Sequence, residues 1–337
     1  MEHANLAMQT FHIVIAGFDG CLPSGIVGLV DLFALANKAL ARQPGCVAQF
    51  EITVASPDGA AFHDGRGRRL KADARLKDIA RADAVLIPGF WLDAEQLDAA
   101  AAVFHAVAPW LKAQHARGAW LCASCAGAYV LGEAGLLDGR RCTTTWWLHD
   151  ALKRRYPRAD AAWGAALIED RRIVTAGGPM SWVDLALYAV RVLAGPEAAR
   201  IAADFAVVDA VPLTQAVYVP TGHVAAADPF LIKAEQAVRQ MHDEALSAVA
   251  LAGQMSVSTR TLHRRLKALT GEAPKTFIVR VRLETARTLL DTSHTAIKDI
   301  ALSSGYQDEG SFRRAFRQFS GMTPSGYREW SRARRSA

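Results

Sequence analysis

Arginines and cysteines are the residues whose spacing points to chemistry in this sequence. The run Ser258-Thr259-Arg260-Thr261-Leu262-His263-Arg264-Arg265-Leu266 recurs fifty residues later as Asp308-Glu309-Gly310-Ser311-Phe312-Arg313-Arg314-Ala315-Phe316. Each copy then reaches a Gly-x-x-Pro at the same offset, Gly271 to Pro274 and Gly321 to Pro324, so the repeat spans a whole supersecondary unit. A helix begun by the capping residue Ser258 or Asp308 puts Leu262, Leu266 and Leu269 on one apolar stripe and Phe312, Phe316 and Phe319 on the other. The same period turns Arg260, His263, Arg264 and Lys267, and Arg313, Arg314 and Arg317, to the more exposed faces. Arginine can clasp the two acceptors of guanine, and any arginine or lysine can neutralise a phosphate. Which arginine reads a base is not assigned by spacing, because each is equally suited to a phosphate or a neighbouring acid.

A second constellation surrounds Cys125. Ala119-Trp120-Leu121-Cys122-Ala123-Ser124-Cys125-Ala126-Gly127-Ala128-Tyr129 reads as strand, sharp turn and helix, with small residues permitting the turn. Cys125 sits at its apex, where helix N-terminal amides favour a thiolate. Cys122 and Cys125 also spell C-x-x-C, but no second Cys or His pair follows at metal spacing. Redox chemistry therefore stands beside a buried core thiol as the alternatives for Cys122, and no metal site or cofactor is expected. Trp91, Trp146 and Trp147 fall after strands or near the turn, where ligands of open α/β sheets bind. They make either core packing or an aromatic box for a quaternary ammonium compound. The ligand-pocket residues expected on these grounds are Cys125, Thr145, Trp146 and Trp91.

Two kinds of element must position these residues. Near-continuous apolar runs at His12 to Phe18, Phe50 to Ala55, Ala84 to Pro88 and Ala119 to Ala123 predict strands buried on both faces. Between them Gly25 to Leu40 and Glu95 to Gln114 carry helical periodicity, Ile168 to Ala176 reads as a hairpin around Glu169-Asp170-Arg171-Arg172, and Ser181 to Leu193 and Pro196 to Val208 predict further helices. This is the pattern of a parallel sheet with helices on its faces. The stretch Pro212 to Pro229 holds three prolines and a Thr-Gly pair, which predicts a linker. Beyond it the chain is all helical: short helices at Ala245 to Gly253 and Thr295 to Ser303 precede the two repeats. Lys275 to Leu290 predicts a connecting helix with Val279, Leu283, Ala286 and Leu290 on one face. Two recognition helices held apart in this way would meet targets about one helical turn, ~34 Å, apart on one face of a duplex.

Charge agrees with that division. The chain of 337 residues carries a net charge of +6, yet residues from Pro229 onward hold 18 Lys+Arg against 10 Asp+Glu, so the basic excess belongs entirely to this last third. A polyanion partner is implied, nucleic acid before membrane. The first residues lack a basic n-region followed by an apolar h-region, and the uncharged apolar stretch from Gly118 to Gly132 falls short of a membrane span. The cytoplasm is the expected location. Five cysteines, Cys21, Cys46, Cys122, Cys125 and Cys142, are odd in number and scattered, so reduced thiols rather than a disulfide framework are expected.

At Arg282-Leu283-x-x-Ala286-x-x-Leu289-Leu290, Ile300-Ala301-x-x-x-Gly305-Tyr306, Phe312-Arg313-Arg314-Ala315-Phe316 and Gly321-x-x-Pro324 the sequence resembles the AraC/XylS family over roughly 236–332. The resemblance implies two helix-turn-helix units binding adjacent major grooves through Arg260, His263, Arg264, Arg313 and Arg314. Gly310 stands where that family often has a polar reader. Residues 10 to 195, with Pro88-Gly89, the Cys125 turn and the run Gly132-Glu133-Ala134-Gly135-Leu136-Leu137-Asp138-Gly139-Arg140-Arg141, resemble the PfpI-like branch of the class I glutamine amidotransferase-like fold. Together the two resemble the GlxA family of regulators. The implied fold is a flavodoxin-like parallel sheet sandwiched by helices over 10–205, a linker over 206–228 and an all-α AraC/XylS-type domain with two helix-turn-helix units over 229–337. The implied function is transcription regulation, with double-stranded operator DNA, a small-molecule effector such as a nitrogenous metabolite or quaternary ammonium compound, a homodimer partner and RNA polymerase as partners. No catalytic residues are expected, since enzymatic relatives need a histidine near the cysteine and an acid after the first strand. Here Ala126 follows the cysteine, Thr145 stands where related regulators often have His before Trp, Ser24-Gly25 stand near the acid's place, and only His149 could substitute.

Overall fold

The computed structural model describes residues 8–43, 48–91, 94–209, 214–218, 228–241 and 247–336. By its contacts the chain divides into two compact units, Met1–Gln215 and Ala216–Ala337. Cys46 and most of the stretch expected to act as a linker lie outside the described residues.

The first unit is built on a seven-stranded sheet. Its strands are β1 (Gln9–Ala16), β2 (Ala48–Ser56), β5 (Ala74–Arg75), β6 (Ala84–Ile87), β7 (Trp120–Ser124), β10 (Leu167–Asp170) and β11 (Ile173–Ala176), in the order β10-β11-β7-β6-β1-β2-β5. Two-residue pairs lie outside it: β3 (Phe62–His63) with β4 (Arg69–Leu70), and β8 (Arg141–Cys142) with β9 (Asp160–Ala161). All pairings in the main sheet are parallel except β10 with β11. The predicted hairpin forms that exception. Arg171 and Arg172 both take positive φ, 53° and 64°, as a two-residue turn matching the twist of its strands requires. Ile13, Val14, Ile15 and the whole of β6 are buried, which explains why these strands read as continuous apolar runs rather than alternations.

The described residues of this unit also form the helices α1 (Pro23–Leu40), α2 (Ala94–Ala116), α3 (Ala128–Glu133), α4 (His149–Arg155), α5 (Trp182–Ala194) and α6 (Pro196–Ala206). Helices α1, α5 and α6 pack on one another, and α2 packs on α3. Helix α1 is long and apolar enough to cross a bilayer, but Ile26, Leu29, Leu32, Phe33, Ala36 and Leu40 bury one face of it in the sheet core. It is the core helix of an α/β layer. Gln114, fully buried on α2, bonds the Ala82 amide and the Ile79 carbonyl and so ties that helix to the loop before β6.

The second unit is helical throughout its described residues: α7 (Pro229–Gln240), α8 (Ala248–Gln254), α9 (Thr259–Thr270), α10 (Pro274–Thr292), α11 (Ile297–Ser303), α12 (Glu309–Ser320) and α13 (Pro324–Ser336). It has two cores. Phe230, Leu231, Leu251, Leu262, Leu266, Phe277, Ile278 and Val281 form the first, and Val217, Leu283, Leu290, Ile300, Phe312, Phe316 and Tyr327 form the second. Helix α10, 19 residues and so ~28 Å long, serves both. Its first half turns Phe277, Ile278 and Val281 into one core, and its second half turns Leu283, Ala286 and Leu290 into the other. The single stripe expected from periodicity is therefore corrected: Val279 stands 37% exposed, because the buried face shifts where the helix passes between cores.

Candidate nucleic-acid interface and effector site

The two repeats fold alike. Ser258 caps α9 by accepting from the Thr261 amide at 3.1 Å, and Asp308 caps α12 by accepting from the Ser311 amide at 2.7 Å. Each helix ends at a glycine in the left-handed region, Gly271 at φ 76° and Gly321 at φ 77°, which only glycine adopts without cost. The apolar stripes bury Leu262 and Leu266, and Phe312 and Phe316, completely. What remains outward is cationic: Arg260, His263, Arg264, Lys267, Arg313, Arg314 and Arg317 are all exposed. Their environments differ. Among the described residues Arg260, His263 and Arg264 form no side-chain hydrogen bond or ion pair, and the Lys267 ammonium donates to the Gly271 carbonyl at 2.7 Å. Arg313 is paired with Glu309 at 2.5 Å, and Arg314 donates to the Ser311 hydroxyl at 2.9 Å. Such a surface can meet phosphates, and where a guanidinium is free to reorient it can meet base edges.

Other basic residues of this unit are engaged within it. Arg265, though exposed, stacks over the Phe230 ring at 4.1 Å. Arg280, only 5% exposed, pairs with Glu272 at 3.0 Å, Glu284 at 2.7 Å and Glu235 at 3.6 Å, while Arg239 reaches Glu235 and Glu284. Burial lowers the Arg280 pKa, but Glu272 and Glu284 outweigh it, so its guanidinium is held charged above its ordinary range. This cluster ties α7 to α10 inside the first half. Sequence reasoning missed it, since nothing local marks Glu235 as a partner of residues some 45 positions away.

In the first unit the Cys125 turn forms as expected. Strand β7 ends at Ser124, Cys125 to Gly127 make one 3-10 turn, and α3 follows. Cys125 takes φ 52°, uncommon for a non-glycine residue and concentrated at functional turns. The turn is tight because Gly127 lies against the Ile87 carbonyl, where an added Cβ would come within 2.5 Å. The expectation of a thiolate is corrected: Cys125 is only 4% exposed, and burial pushes its thiol up to about 12 despite the Ala126 amide. Burial likewise pushes Cys122 up to about 12, and both are free thiols.

The four expected pocket residues divide between two places. Thr144 donates its hydroxyl to the Cys125 carbonyl at 2.8 Å, which brings Thr145 and Trp146 beside the turn. Thr145 is fully buried, and its hydroxyl and that of Ser124 find no hydrogen-bond partner among the described residues. Trp91 instead stands 60% exposed in a groove of about 980 Å³ lined also by Phe18, Phe62, Asp19, Asp58 and Asp64. Cys125, Thr145 and Trp146 are not among the residues lining that groove. His149 is buried with its Nδ1 at 3.0 Å from Asp150 and its Nε2 at 3.2 Å from the Ala161 carbonyl, so both ring nitrogens are engaged.

Comparison with known proteins agrees with this architecture. Residues 15–192 match the DJ-1/PfpI family, and residues 251–329 match a helix-turn-helix domain. The chain is 28% identical over 324 residues to the HTH-type transcriptional regulator CdhR of Pseudomonas aeruginosa, covering 95% of this chain and 91% of that one. It is 30% identical over 210 residues to the HTH-type transcriptional regulator GlxA of Rhizobium meliloti, covering 61% and 64%. In fold it resembles a ThiJ/PfpI family protein of Pseudomonas syringae, with TM-score 0.50, 21% identity, and 66% of this chain and 84% of that one covered. A DJ-1/PfpI unit is followed here by two capped recognition helices, and this chain belongs to the DJ-1/PfpI family, in its transcription-regulator branch with an AraC-type helix-turn-helix domain.

Proposed function

We propose that this chain is a cytoplasmic, homodimeric transcriptional regulator that reads an operator through Arg260, His263, Arg264 and Lys267 of α9 and Arg313, Arg314 and Arg317 of α12. The observation that carries the reading is the matched pair of capped helices that turn His263, Arg264 and Lys267 of one, and Arg313, Arg314 and Arg317 of the other, outward at equivalent positions of the repeat. Contact with RNA polymerase and contacts one helical turn apart on DNA belong to the same reading. The first unit acts as a sensor and not as an enzyme. A thiol held near 12 is almost wholly protonated at neutral pH and is a poor nucleophile, and His149 is committed to Asp150 and Ala161. The effector proposed is a cationic nitrogen compound, a quaternary ammonium included. What supports it is the groove where Trp91, Phe18 and Phe62 stand beside Asp19 and Asp58, since aromatic faces and carboxylates attract a cation together.

The test is recovery and sequencing of genomic fragments bound by the full-length protein, beside a variant carrying Arg264→Ala and Arg314→Ala. Enrichment of one motif, lost in the variant, is the expected result. Equal recovery of all fragments by both proteins would refute the regulator reading and leave only nonspecific polyanion binding.

A further inference from the structure

Gln215 lies within the stretch whose prolines predict a linker, yet it is only 7% exposed. Its carboxamide is engaged at both ends. The oxygen accepts from the Trp146 amide at 2.9 Å, and the nitrogen donates to the Thr144 carbonyl at 3.0 Å and the Ala165 carbonyl at 2.7 Å. The Gln215 amide and the Thr214 hydroxyl both bond the Gly164 carbonyl. Gly177, at the end of β11, makes room for this side chain: a Cβ there would fall 1.8 Å from the Gln215 nitrogen. The loop so gripped, Thr144 to Trp146, is the one that bonds the Cys125 carbonyl. Two residues on, Val217 is buried in the second core of the helical unit with Leu283, Phe312 and Phe316, and Tyr218 packs on Trp330. Each anchor lies within its own unit, and only Ala216 separates them in the chain.

We infer that Gln215 is a latch by which the Thr144–Trp146 loop of the sensor sets the length of the tether to the DNA-binding unit. Latched, the chain leaves the first unit at Gln215. Released, it leaves at Val208, the last residue before it, among those described, that packs against the sheet core, and the tether grows from one residue to eight. In a dimer, lengthening the tether lowers the effective concentration of the second DNA-binding unit once the first is bound. The concentration falls roughly as the −3/2 power of length, so full release weakens binding to a paired site about twenty-fold and leaves a single site unaffected. An effector that shifts the loop thereby acts on DNA without touching the helical unit. The inference rests on the dimeric regulator reading above.

The experiment uses the full chain and two variants that open the latch from opposite sides. Gln215→Ala removes the carboxamide, and Gly177→Ala expels it by overlap while keeping every hydrogen-bonding group. Hydrogen exchange at the Trp146 amide is followed together with affinity for DNA carrying two copies or one copy of the selected motif. Both variants are expected to lose Trp146 protection and to bind the two-copy DNA at least three-fold more weakly, with one-copy binding unchanged. Unaltered Trp146 exchange in both variants would overturn the latch, as would lost protection with unaltered two-copy affinity. A wild-type protein that selects no DNA overturns the regulator reading itself, a failure distinct from either of those.

Discussion

The recognition helices α9 and α12 share length, caps and the register of their buried residues, but they offer DNA different chemistry. On α9, Arg260, His263 and Arg264 project from a helix whose first turn carries no acid. On α12 the place of Arg260 is taken by Gly310, Arg313 is paired with Glu309, and Arg314 is held by Ser311. A guanidinium already paired gives up that partner before it can clasp a base, whereas a phosphate can be met by charge alone. We propose that one fold repeated twice is divided in role, with α9 the reader of bases and α12 the weaker reader that clamps the backbone. The cores are divided too: the first is mainly aliphatic, with Phe230 and Phe277 beneath arginines and a buried ionic cluster beside it, and the second is a chain of aromatic contacts through Phe312, Phe316, Tyr327 and Trp330.

The largest expected effect breaks the ionic cluster. Arg280→Ala leaves Glu235 and Glu284, 3% and 4% exposed, without their main counter-charge, and should cost about 3–5 kcal/mol in urea unfolding of the helical unit. A cost below about 1 kcal/mol would mean the cluster is hydrated and the contrast between the cores is superficial. Next in size is the division of labour. Arg264→Ala should lose about 1–3 kcal/mol of affinity for the selected operator and relax its base preference, while Arg314→Ala should weaken all sequences alike and reduce the salt slope by about one. Equal loss of base preference in the two variants would erase the distinction between reader and clamp.

A smaller effect separates the caps by pH. The side-chain and backbone bonds from Ser311 hold the Asp308 carboxyl below its usual range, whereas the α9 cap, Ser258, does not titrate there. A carboxyl with a lowered folded pKa contributes stability above its unfolded value, 3.8, and loses it as pH falls through the folded one. Amide exchange in α12 should therefore accelerate before that in α9 on acidification below about pH 4, and Asp308→Ser should abolish the difference. The smallest effect concerns the turns. The second motif turns through Gly305 at φ 77°, the first through Ser256 at φ 55°. Ser256→Gly should relieve that strain, and a rise in stability of about 0.5–1 kcal/mol, read from the unfolding midpoint, is expected. A fall in stability would show that the serine turn is not strained.

Much of this was legible in the sequence for a physical reason. Strands buried on both faces must be apolar throughout, so β1, β2, β6 and β7 announced themselves within two or three residues of their ends. The repeat exposed both recognition helices, because a cap, a stripe and a terminal glycine are local requirements. The pairs β3–β4 and β8–β9 were missed since two residues carry no period. The Cys125 turn was visible but its burial was not, because the side chain is closed in by Gly89 from another strand's end, the Cys125 Cβ lying 3.0 Å from where a Gly89 Cβ would stand. Long-range pairing also hid Glu235 as a partner of Arg280. Gln215 was obscured by the prolines and the Thr-Gly pair of its own segment, which describe the chain around it and not the loop it grips.

The measurement that tests the division of roles most directly is selection of bound sequences from a randomised DNA library by the full-length protein. The account predicts a strongly specified half-site followed, one helical turn away, by a weakly specified one, with the strong half lost in Arg264→Ala and the spacing kept. Two half-sites of equal information, or a strong half that survives Arg264→Ala and disappears in Arg314→Ala, would contradict it.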